Sequence, residues 1–402
     1  MAKKKYKILS LFSGCGGLDL GFSGGFNFLG KDYKQLNTEI IFANDFDPDA
    51  CKCYNANSLL VKNGVECLLE DIRNVDAKQI PDFDILLAGF PCQPFSNAGN
   101  RKGVHDANGR GTLFEECERI IKSKINVDKR PKAFLFENVR GILSSKMPDG
   151  ETTVPQEIQN RMETLGYNVS IKLVCSSDYG VPQRRYRVLI VGVDKQLNRD
   201  PFNFDLLLDV VNKHQIPSTH TGNDEKLLLG YILRGVHEQE DDVVWDYSIT
   251  TQNTVELIGG CKHGPQALDL FVDGFSKNEL PSIVYEGRSW KDIPYDKLSP
   301  RFKKIADDPK RYHAPKFFRR FAYGEINGTI TASAQPENCG ITHPVENRRY
   351  SVRECARIQS FPDDFRFNAI PIQSQYKVIG NAVPPVMAWV VANALLDYLQ
   401  VK

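Results

Sequence analysis

The sequence predicts an α/β protein built on a doubly wound, mostly parallel sheet, with a smaller and less regular second region. Three observations carry this reading. Short apolar runs of four to seven residues alternate with helical patterns over the first 193 residues. Several of these runs end in glycine-rich or acidic turns. The alternation then stops near Asp194, and helical patterning returns only near Ser351.

The elements follow in order. Residues 7–12 form an apolar run closed by glycines. Residues 39–44 form a second, ending in an acidic turn. Residues 83–89, 133–136 and 187–193 form three more. Runs of this length bounded by turn residues suit buried parallel strands. Helical patterns after Leu113 and after Pro155 alternate with them, which points to a doubly wound arrangement. Past Asp194 come polar loops and segregated charge. Residues 224–246 are acidic, and residues 288–320 are basic with interleaved aromatics.

Composition narrows the class. A chain of 402 residues exceeds what one core usually serves, so more than one domain is expected. No apolar run near twenty residues and no signal-peptide pattern are seen, so a cytoplasmic protein without a membrane span is expected. The ten cysteines contain no C-x-x-C pair, so no metal is expected and most thiols should be reduced and buried. The net charge of +1 argues for no partner, and any phosphate-binding surface must be local.

The ends of the strand runs carry the chemistry. The first runs into Phe12-Ser13-Gly14-Cys15-Gly16-Gly17. A strand, glycine turn and helix bring backbone close to a nucleotide-like ligand, although a tight turn alone is an equal reading. The spacing is not G-x-G-x-x-G, which disfavours nicotinamide cofactors. The second run ends at Asn44-Asp45-Phe46, where a carboxylate could accept from ribose hydroxyls and a ring could stack on adenine. The third ends in Gly89-Phe90-Pro91-Cys92-Gln93-Pro94. A cysteine at a strand's carboxyl end is placed for chemistry, and prolines stiffen its loop. Taken alone, a buried structural cysteine is the commoner case. The fourth ends in Glu137-Asn138-Val139, a carboxylate able to act as an acid or to hold a base edge. Arg185 and Arg187 precede the last run, and alternate residues there face one side. Guanidinium groups suit a developing oxyanion or a phosphate, while a surface salt bridge is the plain alternative.

On these residues the sequence resembles the cytosine-C5 DNA methyltransferases. Residues 11–18 are similar to the family's first cofactor motif and residues 89–93 to its catalytic loop. Glu137-Asn138-Val139 is similar to its acid motif, and Gln183-Arg184-Arg185-Tyr186-Arg187 to its Q-x-R-x-R motif. Residues 353–362 resemble its ninth motif and Gly380-Asn381-Ala382-Val383-Pro384 its tenth. All stand in the family's order.

The resemblance implies an S-adenosylmethionine-dependent methyltransferase fold. It implies a catalytic and cofactor-binding domain over 1–193, a target-recognition domain over 194–339, and a return segment over 340–402 that completes the first. Thr329-Ile330-Thr331-Ala332 is similar to a segment late in that target domain. Cys92 would be the nucleophile that adds to carbon 6 of a flipped-out cytosine in duplex DNA. Glu137 would hold ring N3 and the exocyclic amine, Arg187 the O2 side, and Arg185 the loop or a phosphate. Phe12, Gly14, Cys15 and Gly17 would line the S-adenosylmethionine site. Asp45 would take the ribose, Phe46 would stack on adenine, and Asp71 with Ile72 would meet the adenine. Pro91, Leu113, Asn381 and Ala382 would complete the pocket, which would release S-adenosylhomocysteine. DNA would be met by Ser96, Arg110, Arg301, Lys303, Lys304, Arg319 and Arg320. The loop from Pro91 to Arg110 would close over the flipped base. The protein is expected to be a monomer in a restriction-modification system, with a cognate endonuclease acting on the same site. A transfer-RNA methyltransferase or an inert DNA-binding regulator are the alternatives.

Overall fold

A computed structural model describes residues 5–62, 64–90, 113–236, 256, 258, 287–308, 318–335 and 339–400. The elements run β1 (Tyr6–Leu11), α1 (Gly17–Ser23), the hairpin β2 (Phe26–Phe28) and β3 (Lys31–Tyr33), β4 (Thr38–Asp45), α2 (Pro48–Asn55), β5 (Cys67–Leu69) and β6 (Ile85–Ala88). Then come α3 (Phe114–Ile125), β7 (Ala133–Val139), α4 (Val154–Thr164), β8 (Tyr167–Cys175), β9 (Tyr186–Asp194) and α5 (Leu206–Lys213). The chain ends in the helices Val352–Ile358, Ile372–Asn381 and Pro385–Gln400.

Seven strands form one sheet in the order β5-β4-β1-β6-β7-β9-β8. The first five pair in parallel, and β9 runs antiparallel between β7 and β8. Strand order reverses between β1 and β6. Such a switch point opens a crevice outside the carboxyl ends of the strands. The side-chain period of two then sorts each strand onto two layers. Ile8, Ile85, Leu87 and Leu135 join the core on one face, while Leu9, Leu86, Phe134 and Phe136 join that on the other.

The first face is covered by α1 and the helix Pro385–Gln400. A Cβ on Gly21 of α1 would lie 2.3 Å from Ala388 Cβ and 2.7 Å from the Pro385 carbonyl. Only glycine permits that approach. Trp389 Nε1 donates to the Lys34 carbonyl at 2.9 Å and ties the last helix to the segment just after β3. The helical stretch Ile372–Gln400 is long and apolar enough for a membrane span, which departs from the sequence reading. Yet 89% of its apolar window is buried inside the protein, so its apolarity is that of a core helix.

Other features also depart from the sequence reading. β8 was not expected. Its Val169, Ile171 and Leu173 alternate with Asn168, Ser170 and Lys172, the pattern of a half-buried edge strand rather than a continuous apolar run. The composition break at Asp194 does not end the packing either. Phe202, Phe204, Leu207 and Val211 belong to the same core as β1 and the last helix. Farther along, Ile258, Trp290, Ile293, Leu298, Phe302 and Phe318 form a small core of their own. The eight described cysteines are free thiols, and all but Cys175 are buried.

Candidate active site

A cleft with about 1280 Å³ of empty space, part of it open to solvent, lies at the switch point. Its walls are the β1–α1 turn, the β4–α2 turn, the ends of β6, β7 and β9, and residues 377–383. At its edge the backbone leaves β1 through Phe12, a non-glycine residue held at φ 54°, and then Gly14 at φ 56°. Left-handed backbone is unusual for phenylalanine and is held here by the surrounding turn. Ser13 N–H donates to the Asn44 carbonyl at 3.0 Å. Gly14 N–H donates to Asp45 Oδ2 at 2.8 Å, and Asp47 N–H donates to Asp45 Oδ1 at 2.9 Å. Asp45 is buried, which raises its carboxyl above the usual range against those two donors. Next to it, Phe46 is 60% exposed on the cleft rim.

The cleft floor carries a buried ion pair. Glu137 on β7 lies opposite Leu189 on β9, and Arg187 is two residues along the same face. That diagonal relation brings Arg187 Nε to 2.7 Å from Glu137 Oε1. Both side chains are about nine-tenths buried. Arg187 also donates to the Tyr186 carbonyl at 2.8 Å. A Cβ on Gly89, at the end of β6, would lie in ordinary contact 3.8 Å from Glu137 Oε2, which places Gly89 directly beside the pair.

Arg185 behaves differently. It is buried and donates to the carbonyls of Ile330, at 2.9 Å, Gly380, at 2.9 Å, and Ala382, at 3.2 Å. Gln183 accepts from Ile330 N–H at 2.9 Å and donates to Gln359, whose amide donates to Ala382. Segments nearly 200 residues apart thus meet at one polar junction behind the cleft. Arg185 is therefore a support of the cleft wall rather than a phosphate ligand.

Of the predicted cofactor residues, Phe12, Gly14, Gly17, Asp45, Phe46, Asn381 and Ala382 line the cleft, as do Glu137, Arg185 and Arg187. Cys15 is buried with its thiol toward the Val378 carbonyl at 3.6 Å, so only its backbone can serve the site. Asp71 pairs with Arg73 at 2.5 Å, and neither Asp71, Ile72 nor Leu113 is among the lining residues. Pro91, Cys92, Ser96 and Arg110 lie outside the described residues. Ser13 and Val383, within the first and tenth motifs, also line the cleft, and so do Ser10, Asp47 and Lys377, which were not anticipated. The types of these last three carry no motif of their own; only the folded chain brings them together.

The expected DNA contacts divide. Arg301 and Lys304 are exposed on the helix Pro300–Asp307. Lys303 leans over the Tyr295 ring, 5.6 Å from its centroid. Arg319 pairs with Glu325 at 2.5 Å. Arg320 corrects the sequence reading. It is fully buried and donates to the His343 and Glu346 carbonyls at 2.6 Å, so no phosphate can reach it. Among the described residues, no cluster of His, Cys, Asp and Glu could hold a metal ion.

Beneath the glycine turn sits Asp19, fully buried, accepting from Ser10 Oγ at 2.6 Å and Tyr54 Oη at 2.9 Å. Burial pushes its carboxyl up to about 6, against the pull of those two donors. An acid raised in the folded state keeps its proton there more tightly than in the unfolded chain. Stability therefore falls as pH rises from about 4 through about 6. A rise of this size is worth roughly 3 kcal/mol. Asp19→Asn removes the titration, so denaturant unfolding should show wild type losing about 2–3 kcal/mol relative to the variant between about pH 4 and 7. A difference constant with pH would refute this assignment.

Comparison with known proteins completes the picture. A family model described as C-5 cytosine-specific DNA methylase matches residues 6–397. The chain is 32% identical over 403 residues to Type II methyltransferase M.FnuDI of Fusobacterium nucleatum, covering 98% of this chain and 96% of that one. It is 31% identical over 409 residues to Type II methyltransferase M.NgoPII of Neisseria gonorrhoeae, covering 98% and 96%. A solved structure of a putative DNA modification methyltransferase encoded within an E. coli prophage matches with a TM-score of 0.59 at 22% identity, covering 99% of this chain and 100% of that one. The Dnmt2 methyltransferase of S. pombe matches with a TM-score of 0.55 at 15% identity, covering 98% of each. These two likenesses concern the fold, which is the methyltransferase fold expected from the sequence. With the family's pattern running from the first strand into the last helix, the chain belongs to the C-5 cytosine-specific DNA methylases and is a DNA (cytosine-5-)-methyltransferase.

Proposed function

We propose that the protein methylates one cytosine within a specific duplex DNA sequence, with S-adenosylmethionine in the switch-point cleft and Cys92 as the nucleophile. The single observation that carries this is the buried Glu137–Arg187 pair on the cleft floor, facing Gly89 three residues before Cys92. The residues fit a nucleoside-bearing methyl donor. Asp45 stands at a strand end with an exposed aromatic beside it, and Gly14 and Gly89 line the cleft. When bound, the sulfonium supplies an electrophilic methyl group. The remaining chemistry belongs to the chain.

Carbon 5 of cytosine is a weak nucleophile. The Cys92 thiolate adds to carbon 6 and makes carbon 5 enamine-like. Glu137 holds N3 and the exocyclic amine and shares its proton with the ring, which makes carbon 6 more electrophilic. Arg187, already oriented by Glu137, faces the O2 side where negative charge collects. After carbon 5 takes the methyl group, a base removes its proton and the thiolate leaves. The cytosine reaches this floor only if it is flipped from the duplex, at a cost of about a few kcal/mol. The region 194–339 selects the sequence, with Arg301 and Lys304 as phosphate contacts. The related proteins named as Type II methyltransferases support a restriction-modification setting, and within it we place the enzyme as a cytoplasmic monomer.

Incubation with methyl-labelled S-adenosylmethionine and either mixed-sequence duplex DNA or transfer RNA tests the reading. Label should enter DNA as 5-methylcytosine at one sequence. Label in RNA alone would overturn it.

A further inference from the structure

The cleft has two walls that are distant in sequence. One is the β4–α2 turn with Asp45, Phe46 and Asp47; the other is the helix Ile372–Asn381 and the turn after it. Two side-chain bonds join them. Lys377 Nζ lies 2.6 Å from Asp47 Oδ2, and Ser374 Oγ donates to Asp49 Oδ2 at 2.5 Å. Ser374 and Lys377 are three apart on one helix, so they present on one face. Asp47 is the N-cap of α2, its Oδ1 accepting from Asp49 N–H at 3.1 Å. Its own N–H holds Asp45 Oδ1 at 2.9 Å. A continuous chain of bonds therefore runs from the helix Ile372–Asn381, through Asp47, to the carboxylate assigned to the ribose.

We propose that Lys377 is a positioning residue for cofactor binding, acting through Asp47. The pair fixes the separation of the two walls and sets the turn that carries Asp45 and Phe46. Lys377 is about half exposed, and its contact with Asp47 lies at the cleft rim. An isolated exposed ion pair contributes little to stability. Here the same pair governs the position of a ligand-facing carboxylate, so its effect shows in binding. The inference rests on the cleft being the S-adenosylmethionine site.

The test is calorimetric titration of the full-length protein with S-adenosylhomocysteine. Lys377→Met keeps the aliphatic stem and removes the charge. Asp47→Asn keeps the helix cap and removes the charge. Each should weaken binding about tenfold, and the double variant should be no weaker than either single one, as members of one network couple. Lys377→Arg should restore most of the affinity. Wild-type affinity should fall with added salt more steeply than that of Lys377→Met, because the rim pair is screened. KM for the cofactor should rise with little change in kcat. Additive losses, or a loss for Lys377→Met alone, would mean that Lys377 meets the ligand directly and would overturn the proposal. Unchanged affinity in both variants would also overturn it. Failure of the wild type to bind S-adenosylhomocysteine would instead remove the underlying cofactor assignment.

Discussion

Cys92→Ala should abolish methyl transfer while leaving S-adenosylhomocysteine binding in place. The reason is chemical. Without a thiolate at carbon 6, carbon 5 remains part of an electron-poor aromatic ring and does not attack a sulfonium at a useful rate. Loss of a covalent nucleophile typically costs about 10⁴-fold or more. Binding survives because the cleft walls are built from other elements. Duplex DNA carrying 5-fluorocytosine gives a second readout. Fluorine at carbon 5 cannot leave as a cation, so the final elimination stops and the protein stays bonded to DNA. A band of protein–DNA adduct on a denaturing gel is expected for the wild type and none for Cys92→Ala. Transfer surviving in the variant would refute the nucleophile.

The second large effect is expected at the floor pair. Glu137→Gln keeps the shape and removes the proton-sharing carboxylate, so single-turnover methyl transfer should slow by about 10²–10⁴-fold. Arg187→Met leaves Glu137 buried and without its 2.7 Å partner. Breaking one side of such a pair costs about 3–5 kcal/mol, so this variant should also unfold at lower denaturant. The double variant should lose far less activity than the product of the two single losses, since each single change already dismantles the same unit. Multiplicative losses in rate would show that the two residues act independently and would sink the shared role.

Much of the fold was legible because buried strands read as short apolar runs. Five apolar runs with turn residues at their ends appeared where β1, β4, β6, β7 and β9 stand. β5 and β8 were missed for different reasons. β5 has three residues, too few for a pattern, and β8 alternates polar and apolar because it is a half-buried edge. Within the site, Glu137 and Arg187 were visible as reactive types at strand ends. Their contact was not, since it depends on β9 reversing direction and on its register against β7. The basic stretch misled for Arg320, because a guanidinium can be buried when main-chain carbonyls satisfy it.

The sequence by itself determined the chemistry of the protein. Residue types with intrinsic reactivity, set at the ends of apolar runs in a recurring order, specify the sheet and the reaction it hosts. Local patterns carry that information because strand period and turn propensity act over a few residues. Only the tertiary structure decided which distant groups share the cleft. Lys377 beside Asp47, Arg185 beneath Ile330 and Gly380, and Gly21 against Ala388 each join segments over 140 residues apart. Such contacts follow from how whole elements pack, and the spacing of residues along the chain holds no record of them.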